Sequence, residues 1–248
     1  MSKFDDFAQL HVPGDPVVLF NAWDAGSAGA VAKSGAKAIA TGSASVAMAN
    51  GFGDGEEVPL DLALANAERI VRAVPLPVTV DFEGGYATTA EGLIANGRRL
   101  TAIGAIGCNF EDQVVGTDRL YDIADQAGRI AGLREGVGQD FFINARTDLF
   151  LKARSEAHDA QLADQAIERG MAYAAAGASG FFIPGLADLS LVERICSAVE
   201  IPVNAMHLPQ GPTRAEWASA GIARVSHGPF PFMAMQEWLT GEARAALS

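Results

Sequence analysis

Short apolar, β-branched runs alternate along the chain with longer segments in which Ala, Leu, Glu and Arg recur at helical spacing. The runs predict strands at 17–20, 38–41, 78–83, 105–111, 141–146, 180–184, 203–206 and 223–226. The segments between them predict helices near 26–34, 60–73, 89–102, 122–134, 158–176, 188–198, 213–220 and 230–245. Several of these open on Ser, Thr, Asp or Pro, residues that suit a helix start. A helix follows every strand, eight times over in 248 residues. That rhythm matches an α/β fold of the closed (β/α)8 barrel type better than an open doubly wound sheet. Glycine recurs where a helix ends and a strand begins, at Gly35, Gly104, Gly177 and Gly221, and reads as a helix C-cap.

No linker or low-complexity stretch divides the chain, so 1–248 is read as one barrel domain. The longest irregular segment, about 43–59, carries Gly51, Gly53 and Gly55 among acidic residues and follows the second strand, which makes it a lid or ligand loop. A 49% hydrophobic content is enough for one large core. The net charge of −12 lacks the basic surface that drives nucleic-acid binding. No run approaches the roughly 18 apolar residues of a membrane span, and the N-terminus lacks a signal-peptide pattern, so a cytoplasmic location is expected. Cys108 and Cys196 lie in apolar segments at no metal-binding spacing and read as reduced core residues.

In such a barrel the chemistry sits at the C-terminal ends of the strands. Alternation along the third strand puts Thr79, Asp81 and Glu83 on one face, and Asp81 and Glu83 would repel one another in the barrel mouth unless a cation relieves them. Mg²⁺ is the natural relief, with Mn²⁺ as the alternative, and its habit of using few direct carboxylates leaves room for water-mediated contacts. The fourth strand brings Glu111 or Asp112 to the same rim. The fifth brings Asn144, Arg146 and Asp148, with Arg146 able to take a substrate carboxylate in a fixed orientation. Acidic residues at strand ends also cap helices or pair with a local Arg, but three consecutive strands delivering acid, acid and base to one rim point to a site. His207 and His227 follow the seventh and eighth strands with no visible partner and read as ordinary rim histidines.

Several motifs carry a family resemblance: Asn21-Ala-Trp-Asp-Ala-Gly-Ser-Ala, Ala40-Thr-Gly-Ser-Ala-Ser-Val-Ala, Gly51-Phe-Gly-Asp-Gly-Glu, Val80-Asp-Phe-Glu-Gly-Gly-Tyr, Asn109-Phe-Glu-Asp-Gln, Ala145-Arg-Thr-Asp and Pro202-Val-Asn. In order and spacing the chain resembles the isocitrate lyase/phosphoenolpyruvate mutase family, in its short-chain branch, over nearly its whole length. The resemblance implies a Mg²⁺-dependent barrel that breaks or forms a C–C or C–P bond next to an enolate of a 2-oxo acid. It implies Asp81, Glu83 and Glu111 as the metal site and Asp54 as the acidic residue closing the second loop. It further implies Arg146, Trp23, Asp24, Ser43, Ala44, Ser45 and Asn204 around the substrate, with Arg146, Ser43, Asp54 and Glu111 in catalytic roles. A homo-oligomer, dimer or tetramer, is implied too. The final helix that longer relatives exchange between subunits is expected to be reduced, because the chain stops soon after Trp238.

The chain departs from the pattern in one loop. Lyases of this resemblance that cleave isocitrate or 2-methylisocitrate carry Lys-Lys-Cys-Gly-His after the fourth strand, whereas this chain reads Val114-Val-Gly-Thr-Asp-Arg-Leu-Tyr-Asp. Phosphonate-processing members of the family carry their own polar set in this loop, a place that Thr117, Asp118 and Arg119 could fill here. Three functions are therefore expected in turn: C–C cleavage of a small 2-oxo acid or a substituted malate- or isocitrate-like carboxylate, phosphonopyruvate-type mutase or hydrolase chemistry at a C–P bond, and a barrel that binds a small carboxylate without turning it over.

Overall fold

The computed structural model describes residues 2–248. Eight parallel strands, β1 (Val17–Leu19), β2 (Ile39–Ala40), β3 (Val78–Asp81), β4 (Gly107–Glu111), β5 (Phe142–Arg146), β6 (Gly180–Phe182), β7 (Val203–Met206) and β8 (Arg224–Ser226), form one sheet. Its order runs β1-β8-β7-β6-β5-β4-β3-β2. The two ends meet through a single parallel bridge between Ala22 and Thr41, with the Ala22 N–H donating to the Ala40 carbonyl at 2.8 Å. The result is the expected (β/α)8 barrel.

The helices are α1 (Lys3–Ala8), α2 (Ala25–Lys33), α3 (Ser43–Ala49), α4 (Leu60–Ala73), α5 (Ala90–Ala102), α6 (Ile123–Val137), α7 (Leu149–Lys152), α8 (Ala160–Ala175), α9 (Leu189–Ala198), α10 (Arg214–Ser219) and α11 (Phe230–Leu247). Side chains of Asp24, Thr89, Asp159, Asp188 and Thr213 accept backbone N–H groups at the starts of α2, α5, α8, α9 and α10. Gly35, Gly104, Gly177 and Gly221 all have positive φ after their helices, as a C-cap requires.

Alternation sorts the strand residues. Val80, Cys108, Phe110, Ile143, Ala145, Phe181, Ala205 and Val225 face outward into the main core against the helices. Their neighbours point inward. At the bottom of the barrel Phe7, from α1, is fully buried and meets Phe142 edge-on at 5.3 Å, while His11 stacks on Phe142 at 4.3 Å. With Val17, Leu19, Ala38 and Ala40 these rings plug the floor. Above them the interior turns polar, through Thr79, Asn109, Asn144, Asn204 and Arg224, all buried.

Two segments differ from the sequence reading. Residues 43–49, expected to be irregular, form α3: the Ala-rich run Ser-Ala-Ser-Val-Ala-Met-Ala favours helix and buries Val46 and Ala47. The third strand stops at Asp81 rather than at 83, and Glu83 turns into the left-handed region at φ 50°. At the far end α11 buries Pro231 and Phe232 and then runs on with Met233, Trp238, Leu239 and Leu247 exposed. Among the described residues no helix is long and apolar enough to cross a membrane.

Candidate active site

A cavity of about 210 Å³ opens at the C-terminal mouth of the barrel. Asn21, Ser43, Asp54, Asp81, Asn109 and Arg146 give it a polar side, and Leu151, Phe182, Pro184 and Met206 an apolar one. A second space of about 20 Å³, room for one water, lies behind Asp81 between Thr41, Asn66, Glu83 and Tyr86.

Asp81 is the last residue of β3 and separates the two spaces. Its own N–H donates to Thr41 Oγ1 at 2.8 Å, which fixes the strand end, and its Oδ2 accepts the Ser43 N–H at 3.1 Å. Its Oδ1 is buried without a hydrogen-bond partner. A buried carboxylate oxygen with no donor is costly, and a cation relieves it. Asp54 joins it from the loop after α3. That residue as a whole is exposed, but its carboxyl lines the cavity, where loss of solvent and then the Asp81 charge raise its pKa. Two carboxylate residues lining one cavity, one of them with an unused buried oxygen, fit a divalent ion of the Mg²⁺ type, which takes one or two carboxylates and fills its remaining positions with water and ligand. Among the described residues no group of three or more His, Cys, Asp or Glu side chains is arranged as a metal cage.

Glu83 and Glu111 are placed differently from Asp81. Glu83 Oε2 accepts the Gly55 N–H at 2.9 Å and the Glu56 N–H at 2.6 Å, and Oε1 accepts the Tyr86 hydroxyl at 3.0 Å. Burial pushes its carboxyl up to about 7. Glu111 is buried beside Arg146, with Oε2 3.0 Å from Nη1, and does not line the cavity. Burial raises its pKa and the Arg146 charge opposes that rise. Asp112, the alternative on that strand, faces away from the cavity. It accepts the Asp148 N–H at 2.9 Å, Arg169 Nη1 at 3.0 Å and the Tyr173 hydroxyl at 2.9 Å.

Arg146 donates from Nε to Asp148 Oδ1 at 2.6 Å and from Nη2 to Oδ2 at 3.0 Å. The sequence reading gave its two-point face to a substrate; that face is already occupied by Asp148, because Asp148 follows in the next turn and points back along the strand end. The two bonds to Asp148 and the ion pair to Glu111 leave two of the five guanidinium N–H groups uncommitted, and Arg146 lines the cavity.

The profile of the family described as phosphoenolpyruvate phosphomutase matches residues 7–247. The chain belongs to that family. It is an enzyme of the isocitrate lyase/phosphoenolpyruvate mutase superfamily of lyases and mutases. A Burkholderia cenocepacia protein provisionally named a phosphonomutase is 47% identical, covers 98% of both chains and superposes with a TM-score of 0.96. The 2-methylisocitrate lyase of Escherichia coli K12 is 30% identical over 183 residues, 71% of this chain and 61% of that protein. Phosphonopyruvate hydrolase, solved with oxalate and Mg²⁺, has the same fold at 20% identity, with a TM-score of 0.86 over 98% of this chain and 87% of that one.

Other residues that the isocitrate lyase/phosphoenolpyruvate mutase resemblance put at the substrate divide into two groups. Ser43 and Ala44 line the cavity at the start of α3, and Ser45 is buried just behind with its hydroxyl unpartnered. Trp23, Asp24 and Asn204 are not brought to the cavity wall. Trp23 packs edge-on against Phe232 at 5.1 Å. Asp24 is exposed and caps α2, accepting the Ser27 N–H at 2.7 Å. Asn204 sits lower in the barrel, donating to Ser226 Oγ at 3.2 Å. Thr117, Asp118 and Arg119 form an exposed turn closed by the Val114 N–H on the Arg119 carbonyl. His207 and His227 stack on each other at 4.4 Å, outside the cavity lining.

Sequence reasoning gave Asn21 and Asn109 no role beyond heading two motifs, and it missed Arg224. Asn21 Oδ1 accepts the His227 and Gly228 N–H groups at 2.8 and 2.9 Å and so ties β1 to the loop after β8. Arg224 is fully buried in the barrel interior, with Nε on Ser226 Oγ at 3.1 Å, Nη2 on Asn109 Oδ1 at 3.2 Å and Nη1 unpartnered. Desolvation lowers its pKa to about 9, against the pull of the Asp81 carboxylate. The signal was a charged residue at an inward position of a predicted strand, Arg224-Val-Ser.

Proposed function

We propose that this enzyme cleaves a carbon–carbon bond in a small 2-oxo acid, or in a substituted malate- or isocitrate-like carboxylate, through an enolate and with Mg²⁺ as its cofactor. The observation that carries the reading is the buried, unpartnered Oδ1 of Asp81, a residue that lines the mouth cavity together with Asp54 and Arg146. Asp81 would hold the metal, with Asp54 beside it, and the ion when bound would supply positive charge where negative charge gathers on the oxo oxygen.

The chain's own residues do the rest. Arg146, oriented by Asp148 and Glu111, offers its uncommitted N–H groups to a substrate carboxylate. The first N–H groups of α3 have no partner within the helix, and those of Ala44 and Ser45 add donors beside the same cavity. Donors aimed at charge that develops during bond breaking are commonly the largest catalytic contribution. Leu151, Phe182, Pro184 and Met206 offer an apolar wall to the substrate's alkyl portion. The likeness to a 2-methylisocitrate lyase, and the oxalate and Mg²⁺ bound by a protein of the same fold, support this assignment.

A second reading, cleavage or rearrangement of a carbon–phosphorus bond, is favoured by the 47% identity to the Burkholderia protein provisionally named a phosphonomutase. The test is to incubate the enzyme and Mg²⁺ separately with oxaloacetate, 2-methylisocitrate, 2,3-dimethylmalate and phosphonopyruvate, and to follow loss of each substrate together with pyruvate, phosphoenolpyruvate and inorganic phosphate. Pyruvate from one of the carbon acids supports the first reading. Turnover of phosphonopyruvate alone moves the assignment to the second. No turnover of any of the four, with oxalate still bound, sinks both and leaves a barrel that only binds carboxylates.

A further inference from the structure

We propose that Glu83 is a positioning residue that sets Asp54 in the cavity and does not itself ligate the metal. The inference rests on the reading of the cavity as a cation site only for the role of Asp54; the clasp that holds Asp54 is independent of it.

The Glu83 carboxylate is buried and both of its oxygens are taken by donors of this chain. Two of the three donors are the backbone N–H groups of Gly55 and Glu56, the residues immediately after Asp54. The contact is reciprocal, since Glu56 Oε1 accepts the Tyr86 N–H at 2.7 Å while the Tyr86 hydroxyl returns to Glu83. Two turns are thereby clasped, each by a carboxylate of the other.

Backbone conformation marks the same residues. Among the described residues, the non-glycine positions with positive φ are Glu56, Glu83 and Tyr86, at 60°, 50° and 56°. Such conformations persist where surrounding bonds over-determine them, and they gather at functional positions. All three belong to the clasp.

The turn after β3 is the fixed half. Arg129 donates to the Gly84 carbonyl at 2.6 Å and to the Ala87 carbonyl at 3.0 Å, and Asn96 donates to the Gly85 carbonyl at 2.9 Å. Arg129 itself is braced by Gln126 and lies over the Tyr121 ring at 4.2 Å. The loop after α3 is the hung half: its residues 51–57 are half-buried or exposed, and Val58 after them is buried. On the other side of Asp54 the Gly53 N–H donates to Glu57 Oε2 at 2.9 Å and the Phe52 N–H to the Ala47 carbonyl at 3.0 Å. Those bonds do not reach the turn after β3, so without Glu83 the Asp54 carboxylate would lose its register with Asp81.

A carboxylate that touched the metal would be needed for its charge, whereas a clasp needs only acceptor atoms in the right place. Glu83→Gln separates the two, because the amide oxygen can accept both loop N–H groups while the amide nitrogen donates to the Tyr86 hydroxyl. Mg²⁺ binding to the metal-free full chain is measured by titration calorimetry, and backbone exchange at 52–58 by hydrogen–deuterium exchange. The expected result is a Glu83→Gln protein within about threefold of the unmodified affinity and a Glu83→Ala protein weakened about tenfold. Asp54→Ala should weaken binding equally, and the double variant should be no weaker than Asp54→Ala alone. Exchange at 55–56 should quicken about tenfold in Glu83→Ala and less in Tyr86→Phe, the milder substitution that serves if Glu83→Ala does not fold. A Gln variant that loses Mg²⁺ as fully as the Ala variant, a further tenfold loss in the double variant, or unchanged exchange at 55–56 overturns the proposal. If the unmodified chain binds no Mg²⁺, the functional reading fails and the exchange result alone decides the clasp.

Discussion

Arg146 holds both carboxylate oxygens of Asp148, two residues further along the chain, through Nε at 2.6 Å and Nη2 at 3.0 Å. The pair fixes the plane of the guanidinium, and Glu111 fixes it from another side. Lysine carries the same charge but cannot span two carboxylates and a substrate. Arg146→Lys should therefore lower kcat/KM by about 10²–10³, and Asp148→Asn by about tenfold with most of the loss in KM. Steady-state kinetics on whichever substrate turns over tests both. Unchanged kcat/KM in Arg146→Lys would remove the guanidinium from the site.

Asp81 contributes the unpartnered oxygen. Mg²⁺ should raise the Tm of the unmodified protein, and Asp81→Asn should weaken Mg²⁺ binding by about 10² or more and abolish that rise. If Asp81→Asn retains full Mg²⁺ affinity, the metal site is misassigned.

His11 is 7% exposed, and burial, followed by the Arg224 charge, lowers its pKa to about 3. An unfolded histidine near 6.5 binds a proton that the folded one refuses, so stability is full above about 6.5 and is lost as pH falls toward 3. Between pH 7 and pH 5 this one residue should cost about 2 kcal/mol, at 1.36 kcal/mol per pKa unit. His11→Gln should flatten that part of the curve in urea unfolding at the two pH values. An equal loss in both proteins would assign the acid sensitivity elsewhere.

Helices α5 and α6 pack through glycines. A Cβ on Gly136 would stand 2.5 Å from the Ile94 carbonyl oxygen and 2.9 Å from its Cα, and backbone cannot swing aside as a side chain can. Gly136→Ala should destabilise by about 1–3 kcal/mol. Gly128 lies on the same helix with nothing within 4 Å of its Cβ position, so Gly128→Ala should stabilise by about 0.5–1 kcal/mol. Denaturant midpoints with unchanged m-values check the contrast, and similar shifts in the same direction would contradict it.

The barrel was legible because burial repeats with the period of the secondary structure: Val80, Phe110 and Ile143 alternate with Asp81, Asn109 and Asn144, and eight such runs count themselves. Ser43 and Asp54 came from the family resemblance, since α3 separates Asp54 from the end of β2, whereas Asp81 and Arg146 were legible because each ends a strand, β3 and β5. Glu83 was not, because extending strand alternation past Asp81 assumes a pleat that the backbone abandons for a left-handed turn. Asp24 illustrates a different failure. An acidic residue before an Ala-Gly-Ser run serves equally as a helix cap, and pattern alone does not tell a cap from a ligand. Arg224 was passed over because a residue inside a short apolar run is read for its neighbours' burial, and its own position under the cavity depends on barrel closure.

Phe7, Phe142 and His11 cork the barrel from below. Among the described residues the cavity beside Asp81 and Arg146 opens at the mouth, so a ligand cleaved there would depart by the path along which it arrived. One opening would then set an order on departure, with the fragment nearer solvent leaving ahead of the one held deeper.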